Sequence, residues 1–325
     1  TGDTKEVRLF LHGGNDRAVI RGDGGAGLTV RVLGGGGDDR FADSARVRNA
    51  RFYDDRGENA AEGHGIDTRA YVTEADTNPK VVAPRDWGRR TLNYWFFTIQ
   101  PDVGLFASVN PSVTHYAFRQ RPYGSKLSLS AGYATSARTF NGTLEGDFRN
   151  ENSDTRFGFR ARASGIDVVR WYGLGNATQD TADTEFHRVT RHVFSFTPFV
   201  GFGLGRGISL SVGPMVKYSV ADADEGRNAE RFFAADRPYG TGQFGQVGGE
   251  VRFELDRRNR AIAASRGVQV RLAADAYPEV FRSDEDRGAF GSVEGDLAVY
   301  LSTRALSETT LALRVGGRRV FGDFP

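Results

Sequence analysis

The chain has 325 residues, 26% of them charged, with 43 basic against 41 acidic side chains and no cysteine. So even a balance argues against a nucleic-acid-binding surface, and the absence of cysteine excludes a disulfide framework and fits an oxidising compartment. No apolar run approaches the ~18–20 residues that a membrane helix needs, but barrel strands alternate lipid-facing and lumen-facing residues and average to a mildly polar value, so periodicity has to decide.

Residues 1–85 read as a small Gly/Asp-rich β-domain plus linker. The chain opens at Thr1 without a charged-then-apolar leader, as expected of a mature product or of a segment of a longer chain. Val7, Leu9 and Leu11 alternate with Arg8 and Phe10 before Gly13-Gly14-Asn15-Asp16 turns the chain. Val30 and Val32 make a second short strand, ended by Gly34-Gly35-Gly36-Gly37-Asp38-Asp39, and Arg51-Phe52-Tyr53 a third, ended by Asp54-Asp55-Arg56-Gly57. Short strands punctuated by such turns predict a β-solenoid or a meander. Residues 34–41 match the Gly-Gly-x-Gly-x-Asp-x-apolar pattern of calcium-binding nonapeptide repeats, with Phe41 apolar, and Gly14-x-Asp16 echoes it. Asp16, Asp38 and Asp39 are therefore the candidate calcium ligands, calcium being the one cofactor suggested. Against this, Asp16 and Asp39 stand 23 residues apart where true arrays repeat every nine, and Gly/Asp turns with solvated carboxylates are the simpler account. Residues 72–86, with Pro79 and Pro84, read as the linker.

Residues 86–325 read as the second domain. From about residue 92 one theme repeats, an alternating run followed by a turn. Ile208, Leu210, Val212, Pro214, Val216, Tyr218 and Val220 interleave with Ser209, Ser211, Gly213, Met215, Lys217 and Ser219. Phe194, Phe196, Val200, Phe202 and Leu204 form the neighbouring run, joined to it by the tight turn Gly205-Arg206-Gly207. Eleven strands are expected, near 93–99, 103–118, 125–134, 140–149, 155–165, 193–204, 208–220, 244–256, 267–281, 289–302 and 309–321. Most are longer than the ~5–6 residues of soluble strands and near the ~9–11 that cross a bilayer at a tilt. The connections 166–192, 221–243 and 282–288 are long and fall on one side, while 205–207, 257–266 and 303–308 fall on the other. Outer-membrane barrels show this asymmetry, with long loops outside, which puts the N-terminal domain on the periplasmic side. Eleven is odd and the last strand would be an open edge, so the expectation is a barrel lacking its closing strands.

No Walker loop, zinc-type histidine cluster or nucleophile elbow occurs, so no catalytic residue is assigned and an enzyme is not expected. His187 and His192, five apart, are read as solvated loop residues. Trp171-Tyr172-Gly173-Leu174-Gly175-Asn176 is an aromatic-then-glycine element in the longest loop, either tucked against the barrel mouth or recognising a ligand. Trp95, Phe96 and Phe97 lie in a first strand without clean alternation, either a weak seam or an interfacial aromatic belt.

From about Asn93 to Pro325 the chain resembles the C-terminal barrel of the BamA/TamA-type outer-membrane assembly and translocation superfamily, the bacterial surface antigen family. The resemblance rests on Pro101-Asp102-Val103-Gly104-Leu105, Arg121-Pro122-Tyr123-Gly124, Tyr172-Gly173-Leu174-Gly175-Asn176, Asp256-Arg257-Arg258-Asn259 with Ser265-Arg266-Gly267, and the ending Gly316-Gly317-Arg318-Arg319-Val320-Phe321-Gly322. It implies an all-β chain, an antiparallel transmembrane β-barrel with about eleven of sixteen strands present, truncated before the sixth extracellular loop. It also implies a bacterial outer-membrane location, with lipid and lipopolysaccharide as surroundings and client outer-membrane or exported proteins as partners. The expected function is insertion or translocation of proteins or other substrates; the alternative is a passive pore, or a membrane anchor or exporter for an upstream phosphoesterase-like periplasmic enzyme. Residues 1–85 lack the βαα-β-β pattern of the family's periplasmic repeats.

Overall fold

The computed structural model describes all residues except 1–3, 23–26, 46–48, 55, 64–66, 71–84, 101–102, 171, 173–186, 206, 223–229, 231–241, 282–288, 304–308 and 323–325. The chain divides into two compact units, Thr1–Ala83 and Pro84–Pro325. Nearly all of the expected linker at 72–86 lies outside the described residues.

Among the described residues of the first unit seven short strands follow one another: β1 (Glu6–Phe10), β2 (Arg17–Ile20), β3 (Thr29–Leu33), β4 (Arg40–Asp43), β5 (Ala50–Asp54), β6 (Ala60–Gly63) and β7 (Asp67–Ala70). They fall alternately into two parallel sheets, β1-β3-β5-β7 and β2-β4-β6. Glu6 lies beside Thr29 and Arg17 beside Arg40, a step of 23 residues that also separates Asp16 from Asp39. The next step is 20, from Asp39 to Asn59. Equal offsets in both sheets define a coil, so the unit is a parallel β-solenoid and not a meander, and the 23-residue spacing is its first coil. Between the sheets Val32, Phe41, Ala50 and Phe52 are buried, with the Phe41 and Phe52 rings stacked at 5.1 Å. Burying a valine or phenylalanine side chain in this way is worth roughly 1.5–3 kcal/mol.

The second unit is one antiparallel meander of β8 (Arg89–Leu92), β9 (Trp95–Gln100), β10 (Gly104–Val109), β11 (Ser112–Ala117), β12 (Gln120–Ala134), β13 (Thr139–Arg149), β14 (Thr155–Arg170), β15 (Arg188–Gly203), β16 (Ile208–Asp222), β17 (Gly242–Asp256), β18 (Gly267–Phe281), β19 (Phe290–Thr303) and β20 (Thr309–Gly322). These 13 named strands make eleven passes. Trp95 of β9 pairs with Val109 of β10, and Leu92 of β8 with Ser112 of β11, so β8–β9 is one strand in two halves and β10–β11 the next. The second breaks at Asn110-Pro111, where proline has no N–H to donate; the expected unbroken strand at 103–118 is corrected accordingly. Asn110 keeps the two passes together, its N–H donating to the Tyr94 carbonyl at 3.0 Å. Hairpin chemistry is local: Gly205, at φ 117°, and Gly207 make the tight turn between β15 and β16. Elsewhere the strands outrun expectation, with β14 reaching Arg170 and β15 starting at Arg188.

Burial in this sheet is inverted relative to a water-soluble protein. The apolar face is exposed: Phe140 is 72% accessible, Leu301 55%, and Phe157, Phe194, Phe196, Val212, Val251, Leu272 and Leu313 are all exposed. The opposite face buries polar side chains, among them Ser108, Thr197, Ser211, Ser219, Gln246, Glu250, Gln269 and Ser292. That polar face is concave. Arg160 of β14 reaches Glu250 of β17 over two intervening strands, and the Tyr277 hydroxyl of β18 reaches Met215 Sδ of β16 at 3.3 Å across β17. Small side chains make room: Arg160 is paired with Thr197 in the ladder and Glu250 with Gly213.

Candidate functional site

The meander ends in β20 on one side and in β8–β9 on the other. On β9 the side chains Trp95, Phe97 and Ile99 project to the apolar face, 79%, 73% and 80% exposed, while Phe96 lies on the other face at 51%. The strand is six residues long and joins the sheet through β10 alone. Its backbone groups on the outer side have no strand partner among the described residues. Trp95, Val109, Ala131, Tyr133 and Phe140 line an open apolar depression on the same face, where the Tyr133 and Phe140 rings meet at 4.9 Å. The sequence candidates Trp95 and Phe97 thus share an exposed apolar sheet edge. Such an edge accepts an additional strand by main-chain hydrogen bonding, with side-chain grooves selecting the residues.

A second cluster lies on the concave face, and no local motif in the sequence joins its members: Asp147, Arg149, Arg156, Arg160, Glu250 and Arg252 each alternate with apolar neighbours on their own strand. The Asp147 carboxylate faces Arg156 at 3.0 Å and Arg149 at 3.3 Å, and accepts from the Tyr123 hydroxyl at 3.4 Å. Glu250 binds Arg252 at 2.6 Å and Arg160. The Phe199 ring sits under both Arg156 and Arg160, at 5.5 and 4.9 Å. Five strands contribute, which is why no local motif announced it. Each guanidinium in this network has a carboxylate or a ring for company, as suits a polar lumen lining.

The longest-loop candidates divide. Trp171, Gly173, Gly175 and Asn176 lie outside the described residues. Tyr172 is described, and its ring packs 4.4 Å from that of His187. His187 is 1% exposed, and His192 is part of β15, paired with Val220. The reading of both as solvated loop residues is therefore corrected: His192 belongs to β15, which starts earlier than the alternation suggested, and His187, just before that strand, is buried.

In the solenoid, the calcium candidates stack at one corner. Asn15 Oδ1 accepts from the Asp38 N–H at 3.0 Å, and Asp38 Oδ1 from the Glu58 N–H at 2.8 Å, each linking a coil to the next. One position along, the direction reverses: Asp39 Oδ1 accepts from the Asp16 N–H and Asn59 Oδ1 from the Asp39 N–H, both at 2.7 Å. These side chains satisfy main-chain donors that a sharp corner would otherwise leave unpaired. Among the described residues no three His, Asp or Glu side chains converge as a ready metal set.

No family model and no curated protein sequence matches this chain. Among solved structures it is similar to the crystal structure of BamA from Haemophilus ducreyi lacking POTRA domains 1–3, with a TM-score of 0.49 and 10% identity over 72% of this chain and 41% of that one. The chain thus spans less than half of that structure's length.

Proposed function

We propose that the second unit is an outer-membrane β-barrel wall whose first strand is a seam for inserting or translocating client polypeptides. The supporting observation is the inverted burial: exposed Phe, Leu and Val on the convex face and buried Ser, Gln and Glu on the concave face. Water would penalise that arrangement, whereas a bilayer outside and a hydrated lumen inside favour it. Within the wall, β8–β9 is the weakest pass, broken in the middle and bordered by a strand that is broken too. A client strand pairing with its free edge would gain main-chain hydrogen bonds in a medium that offers none. The long connections then face outwards and the N-terminal solenoid lies in the periplasm.

The test is a photoreactive amino acid placed at Phe97 in cells, with Val251, on the same apolar face in mid-wall, as the control position. Adducts with other outer-membrane or exported polypeptides at Phe97 and none at Val251 are the expected result. Lipid adducts alone at both positions would defeat the seam and favour a passive pore or an anchor for an enzyme.

A further inference from the structure

On the concave face the Phe199 ring of β15 lies over Gly158 of β14, where a Cβ would collide with it. Gly158 stands between Arg156 and Arg160, so two guanidiniums flank one ring, at 5.5 and 4.9 Å from its centroid. Gly201, also on β15, leaves the space in which Arg156 lies, since a Cβ there would meet its Nε at 2.6 Å and its Cγ at 2.8 Å. Hydrogen bonding around the pair is unbalanced. A guanidinium carries five N–H donors. Arg156 gives a bond to Asp147 and Arg160 a bond to Glu250, and neither makes another among the described residues. Acceptors are oversubscribed by contrast: Asp147 Oδ2 alone serves Arg149, Arg156 and the Tyr123 hydroxyl. In the ladders Glu145 stands opposite Arg160 and Lys126 opposite Asp147, one charge of each sign. That leaves Arg149, Arg156, Arg160 and Arg252 against the carboxylates of Asp147 and Glu250. The cluster has donors and positive charge in excess, where a network that only joined strands would be closer to balance.

We propose that this cluster is a phosphate site, with Arg156 and Arg160 as its two forks, and that it receives a phosphorylated, water-borne molecule on the concave face. A phosphate group has oxygens for both forks at once, whereas a single fork already occupies both oxygens of a carboxylate. Both arginines are open to solvent on that face, their side chains 26% and 28% exposed. The exposed Phe, Leu and Val side chains lie on the opposite face, so a lipid headgroup is tethered on the wrong side of the sheet. Asp147 and Glu250 hold the guanidiniums in position and compete with the ligand for them. The bare glycines at 158 and 201 let ring and arginine lie flat, which keeps the forks beside one another. This inference rests on the concave face alone and does not depend on the seam.

The experiment is equilibrium dialysis of the full chain, folded in uncharged detergent micelles, against radioactive inorganic phosphate. Wild type should bind saturably, with acetate a much weaker competitor. Arg156→Gln and Arg160→Gln should each weaken binding by about tenfold, the loss of a hydrogen bond to a charged group. Arg314→Gln, on β20, should bind as wild type does. Asp147→Asn keeps an oxygen for the Tyr123 hydroxyl but removes a competing charge, and should bind severalfold more tightly. That gain separates a ligand site from a structural network, which the same substitution could only weaken. Glycerol phosphate in solution should displace the phosphate, and phosphatidic acid in the micelles should not; displacement by the lipid alone would overturn the water-borne assignment. Absence of saturable binding in wild type overturns the proposal, whatever the variants do. So does acetate binding as tightly as phosphate, or unchanged affinity in both arginine variants.

Discussion

Glu250 sits on β17 with Arg252 two residues along its own strand and Arg160 reaching over from β14. Its side chain is only 10% exposed, so truncation would leave two guanidiniums facing one another across a partly dry surface. Glu250→Ala should destabilise the folded sheet by about 1–3 kcal/mol, below the full cost of breaking a buried pair because both arginines keep some solvent. Arg314→Ala, which removes an ion pair with Asp296 whose arginine is 73% exposed, should leave stability close to that of wild type, because solvent screens the pair. Urea titration of the two variants side by side checks this; equal effects would mean that the Arg160–Glu250 bridge contributes no more than a surface pair. Each of these residues alternates with apolar neighbours along its own strand, a period-two pattern that is local. That Arg160 meets Glu250, ninety residues away, depends on sheet curvature and on the small Thr197 and Gly213 between them, which alternation does not encode. His187 was misjudged for a related reason: its burial comes from Tyr172 and a strand end, not from its sequence neighbours.

At the scale of elements, β15 and β16 contain a flaw in mid-wall. Their register runs Phe196↔Val216 and Val200↔Val212, which sets Pro198 directly opposite Pro214. Neither proline has an N–H, and the three register positions between those pairs are missing, as expected when both donors of one hydrogen-bonded pair are lost. The backbones close up there instead: a Cβ on Gly213 would collide with the Pro198 carbonyl and the Phe199 backbone, whereas one on Gly249 in β17 would meet only the Gly213 carbonyl, at 3.7 Å. Gly213→Ala should therefore cost about 1–3 kcal/mol, with Gly249→Ala within about 0.5 kcal/mol of wild type. Thermal loss of the folded sheet in the two variants measures the difference, and a harmless Gly213→Ala would mean that the strands can part at this point. Eleven passes and most of their order were legible from alternation and turn residues. The break at Pro111 was legible in principle, since proline inside a strand marks an interruption, but the surrounding alternation masked it. In the solenoid the first coil's length of 23 stood in the sequence as the Asp16–Asp39 spacing and was set aside for not being nine, and the shorter steps that follow leave no fixed period to find. Strands β2, β4, β6 and β7 were missed because four-residue strands are too short for any period to show.

For the second unit as a whole, the question is whether water or lipid covers its apolar face, and β19 carries both halves of a test on that face. Leu297 lies midway along the strand, paired with Val270 and Val315, while Leu301 lies two residues from its end. Both are exposed on the apolar face, at 37% and 55%. If that face meets hydrocarbon, an arginine at the midplane costs about 2–4 kcal/mol and one near the interface about 0–1 kcal/mol, because the shallow side chain can reach water along its own stem. If water covers the face, both substitutions fall within about 0.5 kcal/mol of wild type, as exposed positions usually do. Folding the chain into lipid vesicles and titrating with urea gives both values. Leu297→Arg strongly destabilised with Leu301→Arg nearly neutral is the depth-graded outcome that a bilayer imposes. Two neutral variants would return the sheet to water and remove the physical basis for a seam, since an edge strand in water has solvent to satisfy its backbone and no need of a client.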